Sequence, residues 1–473
     1  MKGKLSGQLR ALFAPRDMTQ GEPWRRIAEF AVPMLIGNFA QQLYNTADSI
    51  IVGKFVGDNA LAAVGSASPI LNFLLALFVG VSTGAGILVS QYFGAKDREA
   101  LSKTIGNCIT LTALVSALLL VAGPLVARPM LALLDTPASI LNWCEEYLVI
   151  FFVGGAGFFF YNILSGVLRG LGDSLSALGF LLVAAALNVG LDLLFVRRMG
   201  VAGVALATVL AQGISAALCF LRLRRMREVF SLDRASMRPD RQYVARVARL
   251  GLPSGVTQAI FSMALMLVQS LTNSFGELVI ATNVIVMRVD GFAMMPNFSF
   301  GQAMTTFTGQ NVGAGRIDRV RQGAKQGTLL AVGFALVLTA AILFFGQTLM
   351  GFFTETEALI DLGVRMMRIL AVGYVVMAVM QSMAGVMRGA GDTLTPMWIS
   401  LLTTVGLRVP IAYGLAYFTR SEAYPVGRPE AIYISALCAW IMGALVNFIA
   451  YRKGRWRARV REYSGTEVGG GAG

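Results

Sequence analysis

The chain has 473 residues, of which 56% are hydrophobic and only 14% are charged, and its formal net charge is +14. Soluble domains are about a quarter charged, so this composition excludes a soluble enzyme, a fibrous protein and a disordered chain. The apolar residues fall in long runs close to the roughly 20 residues that span a bilayer. The sequence therefore predicts an all-α integral membrane protein with many transmembrane helices.

Apolar runs between polar breaks predict twelve transmembrane helices. In chain order they cover residues 27–52, 61–91, 103–127, 138–163, 175–196, 201–222, 251–275, 279–309, 324–346, 358–386, 394–418 and 430–451. A basic stretch with nine arginines, from Arg222 to Arg249, separates the sixth helix from the seventh. The predicted organisation is a cytoplasmic N-terminal tail (1–23), an N-lobe (24–222), a basic cytoplasmic linker (223–249), a C-lobe (250–452) and a cytoplasmic C-terminal tail (453–473).

Two motifs recur at one spacing in the two halves. Gly166-Val-Leu-Arg-Gly-Leu-Gly-Asp173 returns in the second half as Gly385-Val-Met-Arg-Gly-Ala-Gly-Asp392, and Gln91-Tyr-Phe-Gly-Ala95 returns at the same offset as Gln310-Asn-Val-Gly-Ala314. This indicates a duplication, and because six helices is an even number, both copies cross the membrane in the same direction. The glycines of the first motif are interpreted as helix ends and not as a phosphate-binding loop, since no Lys-Ser pair follows.

The distribution of basic residues predicts the orientation. With both termini inside, the inner loops and tails hold 30 of the 40 Lys and Arg residues, and the outer loops hold six. By the positive-inside rule both termini are cytoplasmic. The N-terminal segment up to Arg25 is basic but is followed by no apolar core or small-residue cleavage site, so we expect a tail and not a signal peptide.

Several chemistries are excluded by missing residues. The chain has no histidine, which removes histidine proton relays, imidazole metal ligands and Ser-His-Asp triads. The four cysteines lack CxxC spacing and are interpreted as packing residues. No GxxxxGK[ST] motif is present, so we expect no ATP hydrolysis and no cofactor. An intramembrane enzyme is therefore disfavoured.

Three carboxylates lie inside predicted helices: Asp48, Asp192 and Asp290. Each costs at least ~2.5 kcal/mol at mid-bilayer, which favours a functional role. Asn188 and Asp192 share one helix face, and Thr208 lies in the next helix. Carboxylate, amide and hydroxyl oxygens suit a hard cation such as Na⁺, or the carboxylates could share a proton. The alternative is that Asn188 and Thr208 only bond across helices while the aspartates pair with arginines.

Other polar residues in the helices are candidates for a substrate cavity. In the first half they precede Asp48, and in the second half they lie in the seventh and eighth predicted helices: Gln41, Gln42, Tyr44, Asn45, Gln258, Asn273, Asn283, Arg288 and Asp290. Arg288 and Arg408 are candidates to neutralise Asp290. Pro33 in the first helix permits a bend, because proline removes a ladder hydrogen bond.

These motifs carry a family resemblance. The stretch Pro33–Gly53 resembles the first helix of multidrug and toxic compound extrusion (MATE) transporters, as do Arg169–Asp173 with its repeat, Arg288–Pro296 and Gly309–Gly315. The resemblance covers roughly residues 24–452. It implies two six-helix bundles, alternating access and a bend near Pro33 that accompanies protonation.

The resemblance is to the bacterial branch whose cation site lies in the N-terminal lobe. Asp48, Asn188, Asp192 and Thr208 match that site residue by residue, with no other metal expected. We therefore expect a cation-coupled (H⁺ and/or Na⁺) antiporter, a monomer in the bacterial cytoplasmic (inner) membrane. Its expected partners are small organic cations or drugs and membrane lipids, and no nucleic acid. The alternative is a flippase for lipid-linked or other amphiphilic cargo, which Arg288 and Arg408 keep open.

Overall fold

The computed structural model describes residues 15–134, 136–422, 424–454 and 456–457, with the side chains of residues 49, 58, 59, 61 and 62 excepted. Within these ranges the chain forms thirteen α-helices and one π-helical segment. In order they are α1 (Pro23–Phe55), α2 (Asp58–Ala95), α3 (Arg98–Leu133), α4 (Ala138–Gly154), α5 (Ala156–Gly170), α6 (Ser174–Arg224), α7 (Arg241–Ser274), α8 (Glu277–Gly313), α9 (Ile317–Gly351), α10 (Glu357–Gly389), α11 (Leu394–Ser400), the π segment (Leu401–Leu407), α12 (Arg408–Phe418) and α13 (Ala431–Lys453).

The helices account for the twelve predicted spans. In the described part of the chain, nine helical stretches are long and apolar enough to cross a membrane, and α4 with α5, bent by 54°, adds a tenth. The 51-residue α6 supplies two spans, because it breaks at Gly200, whose φ of 56° suits a residue without Cβ. The more polar α1, 33 residues long, is the twelfth. The predicted multi-pass helical membrane protein is confirmed.

Contacts divide the chain into two compact units. Among the described residues, unit 1 contains those up to Asp17 together with Val32–Gly255, and unit 2 contains Met18–Ala31 together with those from Val256 onward. Two helices therefore belong to both units: α1 begins in unit 2 and continues in unit 1, whereas α7 does the reverse. The predicted lobe boundaries, at residues 24 and 250, lie elsewhere on these two helices.

The duplicated sequence produces a duplicated helix contact. In unit 1, α2 and α5 pack so closely that a Cβ on Gly170 would lie 2.7 Å from the Gly86 carbonyl oxygen. In unit 2, α8 and α10 pack the same way, and a Cβ on Gly389, the counterpart of Gly170 in the repeated motif, would overlap the Thr305 carbonyl oxygen. Small residues allow such close approach of helices in membranes. The predicted duplication is thus visible in the structure, because equivalent helices form the same close contact in each unit.

The repeated glycine motif ends a helix in each unit. Gly172, with φ of 83°, donates its N–H to the Arg169 carbonyl at 3.0 Å, and Asp173 donates to the Leu168 carbonyl at 2.9 Å. This pair of bonds is the Schellman cap that satisfies the last carbonyls of a helix. The second copy forms the same cap at Gly391, with φ of 92°. The interpretation of these glycines as helix ends is confirmed.

Each unit has its own apolar core. The core of unit 1 lies between α2, α4 and α6 and includes Tyr147 and Phe152, whereas the core of unit 2 lies between α8, α10 and α13 and includes Tyr374 and Trp440. The cysteines are free thiols, and three are buried: Cys108, Cys144 and Cys219. Cysteine therefore acts as a small packing residue in these helices.

Candidate cation site and cavity

Asn188 connects the two parts of α6 at the predicted cation site. The helix breaks at Gly200, and its second part runs beside the first, where Thr208 is hydrogen-bonded to Asn188 and Ser215 to the Phe180 carbonyl. With its amide oriented to suit its neighbours, Asn188 donates Nδ2–H to Asp192 Oδ2 at 2.9 Å. Its oxygen lies 3.1 Å from Thr208 Oγ1. Asn188 and Asp192 are almost completely buried, at 1% and 0% exposure, so these hydrogen bonds are shielded from water.

Asp48 reaches the same cluster from α1. Its carboxyl group lies within hydrogen-bonding reach of the Asp192 carboxyl group, and the Tyr44 hydroxyl, one turn earlier, contacts Thr208. One oxygen on each aspartate, Oδ1, is buried without a hydrogen-bond donor. Two facing carboxylates, each with one oxygen that lacks a donor, favour uptake of a positive charge between them.

A cavity of about 450 Å³ opens beside this cluster inside unit 1. Asp48 and Thr208 lie in its wall, whereas Asp192 lies behind them, outside the lining. The remaining wall combines aliphatic residues of α2 with aromatic rings from α1, α4 and α5 and with carboxamides. The rings and carboxamides are Tyr44, Tyr147, Phe151, Phe152, Phe158, Phe159, Tyr161, Gln41, Asn45, Asn72, Asn162 and Gln212. Among the described residues of this wall, Asp48 is the one charged side chain.

The arrangement has two chemical capabilities. The buried oxygens of Asp48, Asp192, Asn188 and Thr208 are hard ligands, and they suit either Na⁺ or a proton shared by the carboxylates. The cavity, by contrast, offers aromatic faces and one carboxylate, which together attract an organic cation through cation–π and charge interactions. Asp48 belongs to both, because it lies in the cavity wall and in the buried cluster.

The predicted cavity residues have different locations. Gln41, Tyr44 and Asn45 line the cavity, whereas Gln42 lies on α1 outside its wall. Gln258, Asn273 and Arg288 belong to unit 2 and are exposed. Asn273 accepts a hydrogen bond from Gln269 one turn earlier, at 2.8 Å. A part in substrate binding stays a prediction for all of them.

Asp290 lies in a second polar cluster, within unit 2. It accepts a hydrogen bond from the Tyr374 hydroxyl at 2.9 Å and interacts electrostatically with Arg408, which follows the π segment. Nearby, the Tyr433 hydroxyl donates to Asn283. Of the two arginines suggested as neighbours of Asp290, the structure brings Arg408 close.

The aromatic and carboxamide wall from α2, α4, α5 and α6 was not predicted. Its members are isolated amides and rings inside long apolar runs, such as Asn72, Tyr147 and Asn162. The isolated amides could have indicated this wall, because a polar residue in a membrane helix requires a polar partner or a cavity. The aromatic residues did not indicate a cavity, since aromatic residues are common in apolar cores.

The fold and the site together define a multi-pass helical membrane protein with an acidic cluster beside a cavity. The MatE family model matches residues 33–194 and 253–414, one copy in each half. The chain therefore belongs to the MatE, or MATE, family, whose members are transporters and not enzymes. At the offset of the repeated motifs, Leu407 and Ile411 stand where the first repeat has Asn188 and Asp192. The second repeat thus lacks the carboxylate of the first.

Individual relatives resemble the chain over nearly its whole length. "Probable multidrug resistance protein YpnP" of Bacillus subtilis is 30% identical over 93% of this chain and 98% of its own length. "Probable multidrug resistance protein YoeA" of the same organism is 28% identical, over 88% of this chain and 92% of its own. A solved structure described as the outward-facing conformation of a multidrug resistance MATE family transporter superposes with a TM-score of 0.86. It is 23% identical and covers 93% of this chain and 98% of its own.

Proposed function

We propose that the protein is a cation-coupled antiporter that exports amphipathic, cationic organic compounds by alternating access. The observation that carries this proposal is the double role of Asp48, which lines the aromatic cavity and also faces Asp192 in the buried cluster. A substrate cation in the cavity and a coupling cation in the cluster compete for the same negative charge. Relatives named multidrug resistance proteins support drugs as the cargo.

The exchange follows from this competition. Entry of H⁺ or Na⁺ lowers the negative charge of the Asp48–Asp192 pair, which weakens its attraction for the organic cation and favours its release. The membrane potential contributes ~2.3 kcal/mol per charge per 100 mV to such a step. A cavity of about 450 Å³ falls within the range that holds drug-sized molecules. The chemistry of the site therefore supports export driven by an ion gradient.

The flippase alternative requires a cavity for phosphate-bearing cargo. Such cargo is recognised by arginine and lysine. Among the described residues of the unit 1 cavity the single charge is negative, which favours organic cations over lipid phosphates. Preferential binding of a lipid pyrophosphate over cationic dyes would reverse this ranking.

We also propose that the membrane is the bacterial cytoplasmic membrane and that both termini lie in the cytoplasm. The support is the charge asymmetry, because 30 of the 40 basic residues fall in the loops and tails assigned to the inside. Labelling of single cysteines introduced in intact cells tests this, with Arg227→Cys, exposed in the segment after α6, as the inside probe.

The decisive test is transport in proteoliposomes with pH and sodium gradients imposed separately. We expect one of these gradients to drive accumulation of a cationic dye in the parent protein. Asp48→Asn and Asp192→Asn should each reduce this transport by about a hundredfold, because a carboxamide binds neither the proton nor the substrate charge.

Asp361→Asn is the matched control. Asp361 is exposed on α10, so the same change of one carboxylate there should leave transport unchanged. Gradient-driven transport at the parent rate in both Asp48→Asn and Asp192→Asn would refute the proposal.

A further inference from the structure

The motif Gln310-Asn-Val-Gly-Ala314, at the end of α8, binds the segment that precedes α1. We name residues 18–22 the N-terminal strap. Gln310 Oε1 accepts a hydrogen bond from the Met18 N–H at 2.8 Å, and Asn311 Nδ2 donates to the Met18 carbonyl at 3.2 Å. Met18 is 1% exposed, and Gln310 and Asn311 are both 0% exposed. The motif thus forms a buried polar clamp on the strap.

Two arginines at the start of α9 complete this clamp. Arg319 donates to Asn311 Oδ1 at 3.0 Å and to the Met18 carbonyl at 3.2 Å. Arg316 donates to the Thr19 carbonyl at 2.7 Å. Hydrogen bonds from charged donors are stronger than neutral ones, and buried polar groups left unpaired are costly. The strap is therefore held firmly within unit 2, to which all these residues belong.

The first turn of α1 is held in the same unit. The Trp24 N–H donates to Gln326 Oε1 on α9 at 3.0 Å, which satisfies one of the N–H groups that a helix start leaves free. The rest of α1, from Val32, belongs to unit 1 and carries Asp48. One continuous helix therefore joins an anchored start in unit 2 to the candidate coupling carboxylate in unit 1.

In the other repeat the segment before α7 is also anchored, by different hydrogen bonds and with the units exchanged. Asn107, the counterpart of Gln326 at the offset of the repeated motifs, accepts a hydrogen bond from the Asp240 N–H, just before α7, at 2.7 Å. Met237, the counterpart of Met18 at that offset, has its carbonyl bound by the Thr110 hydroxyl at 2.7 Å. These residues lie in unit 1, whereas α7 continues in unit 2 from Val256. The basic linker is thus hydrogen-bonded to α3, so in each repeat the segment before the helix shared by both units is anchored.

We infer that Gln310, Asn311, Arg316, Arg319 and Gln326 are positioning residues for transport. They hold the start of α1 in unit 2 throughout the cycle, so that α1 transmits the state of Asp48 in unit 1 to unit 2. The inference rests on the proposed function of Asp48. It assigns a role to the Gln310 motif, whose residues lie outside the cation site and its cavity.

Cysteine labelling measures whether the strap stays bound. In a Cys438→Ser background the remaining native cysteines, Cys108, Cys144 and Cys219, are buried. Met18→Cys should react with a maleimide at least about tenfold more slowly than Gln20→Cys, an exposed neighbour in the same strap, both at rest and during gradient-driven transport. Equal rates for the two sites during transport would overturn the inference.

Release of the strap should alter coupling. Asn311→Leu removes two of the clamp's hydrogen bonds, to Met18 and Arg319, together with a bond to Phe307 inside α8, and should raise the labelling rate of Met18→Cys about tenfold. It should also shift the cation concentration for half-maximal transport about tenfold. A purely structural defect would lower the amount of active protein and leave that concentration unchanged. The inference would also be refuted if Asn311→Leu released the strap, as judged by faster labelling, but left the cation concentration for half-maximal transport unchanged.

Gln326 offers a milder pair of variants in case Asn311→Leu does not fold. Gln326→Leu removes the acceptor for the Trp24 N–H and should shift the cation dependence in the same direction as Asn311→Leu. Gln326→Glu keeps a carboxyl oxygen near a helix start, where negative charge is favourable, and should behave as the parent. An equal effect of both variants would count against positioning. Absence of cation-driven transport in the parent would instead refute the proposed function, while the labelling rates still test the clamp.

Discussion

At the scale of single residues, Asn188 distinguishes two possible coupling ions. It connects Asp192 to Thr208 through its amide, and its oxygen is a ligand that Na⁺ can use but a shared proton does not need. We expect Asn188→Leu to weaken sodium-driven transport about tenfold and to leave proton-driven transport within about twofold of the parent. Transport under separate sodium and pH gradients measures both. Equal loss under the two gradients would show that the amide only supports the fold.

Tyr374 is the corresponding residue of the Asp290 cluster. Its hydroxyl donates a hydrogen bond to Asp290 Oδ1 at 2.9 Å, and the tyrosine is 1% exposed. Tyr374→Phe should therefore lower the free energy of unfolding by about 1–3 kcal/mol, because a buried carboxylate loses a donor. Thermal unfolding in detergent measures this. Tyr417→Phe, on a residue that is 62% exposed, is the control and should stay within about 0.5 kcal/mol.

At the scale of elements, the cap at the end of α5 depends on Gly172. Its φ of 83° disfavours any Cβ, and a Cβ there would overlap the Arg16 carbonyl oxygen. Gly172→Ala should lower the unfolding midpoint, with a loss of about 1–2 kcal/mol. Gly179, inside α6, has open space around its Cβ position, so Gly179→Ala should be neutral or stabilising by up to ~1 kcal/mol. A similar effect of both substitutions would contradict the assignment of the cap.

At the scale of the whole molecule, competition for Asp48 makes substrate and coupling ion linked ligands. Once the coupling ion exceeds its own dissociation constant, a further tenfold increase should weaken binding of a cationic dye by up to about tenfold. Fluorescence titration in detergent measures this dependence. Asp48→Asn should abolish it, whereas Asp361→Asn should retain it. Dye affinity that is independent of both pH and sodium in the parent would rule out a shared charge.

Sequence reasoning predicted the helices well because the bilayer imposes one length and one polarity on every span. It also singled out Asp48 and Asp192 as candidates, since a carboxylate in a membrane helix is rare and costly. It did not find the aromatic wall around Tyr147 and Phe159, or the clamp on Met18. Those features depend on which residues of distant helices are in contact. Apolar and amide residues are common in membrane helices, so the sequence does not show which of them form these contacts.

The sequence alone established that this is a duplicated helical membrane protein with acidic residues in the helices of its first half. The properties that show this are the low charge content, the long apolar runs and the motifs repeated at one offset. These properties are local or periodic, so they can be recognised in the sequence without knowledge of the fold. Only the tertiary structure decided that Asn188 bridges Asp192 and Thr208, that Asp48 also lines a cavity, and that α1 starts in one unit and continues in the other. Each of these depends on contacts between residues far apart in sequence, which follow from how the helices pack and not from their composition.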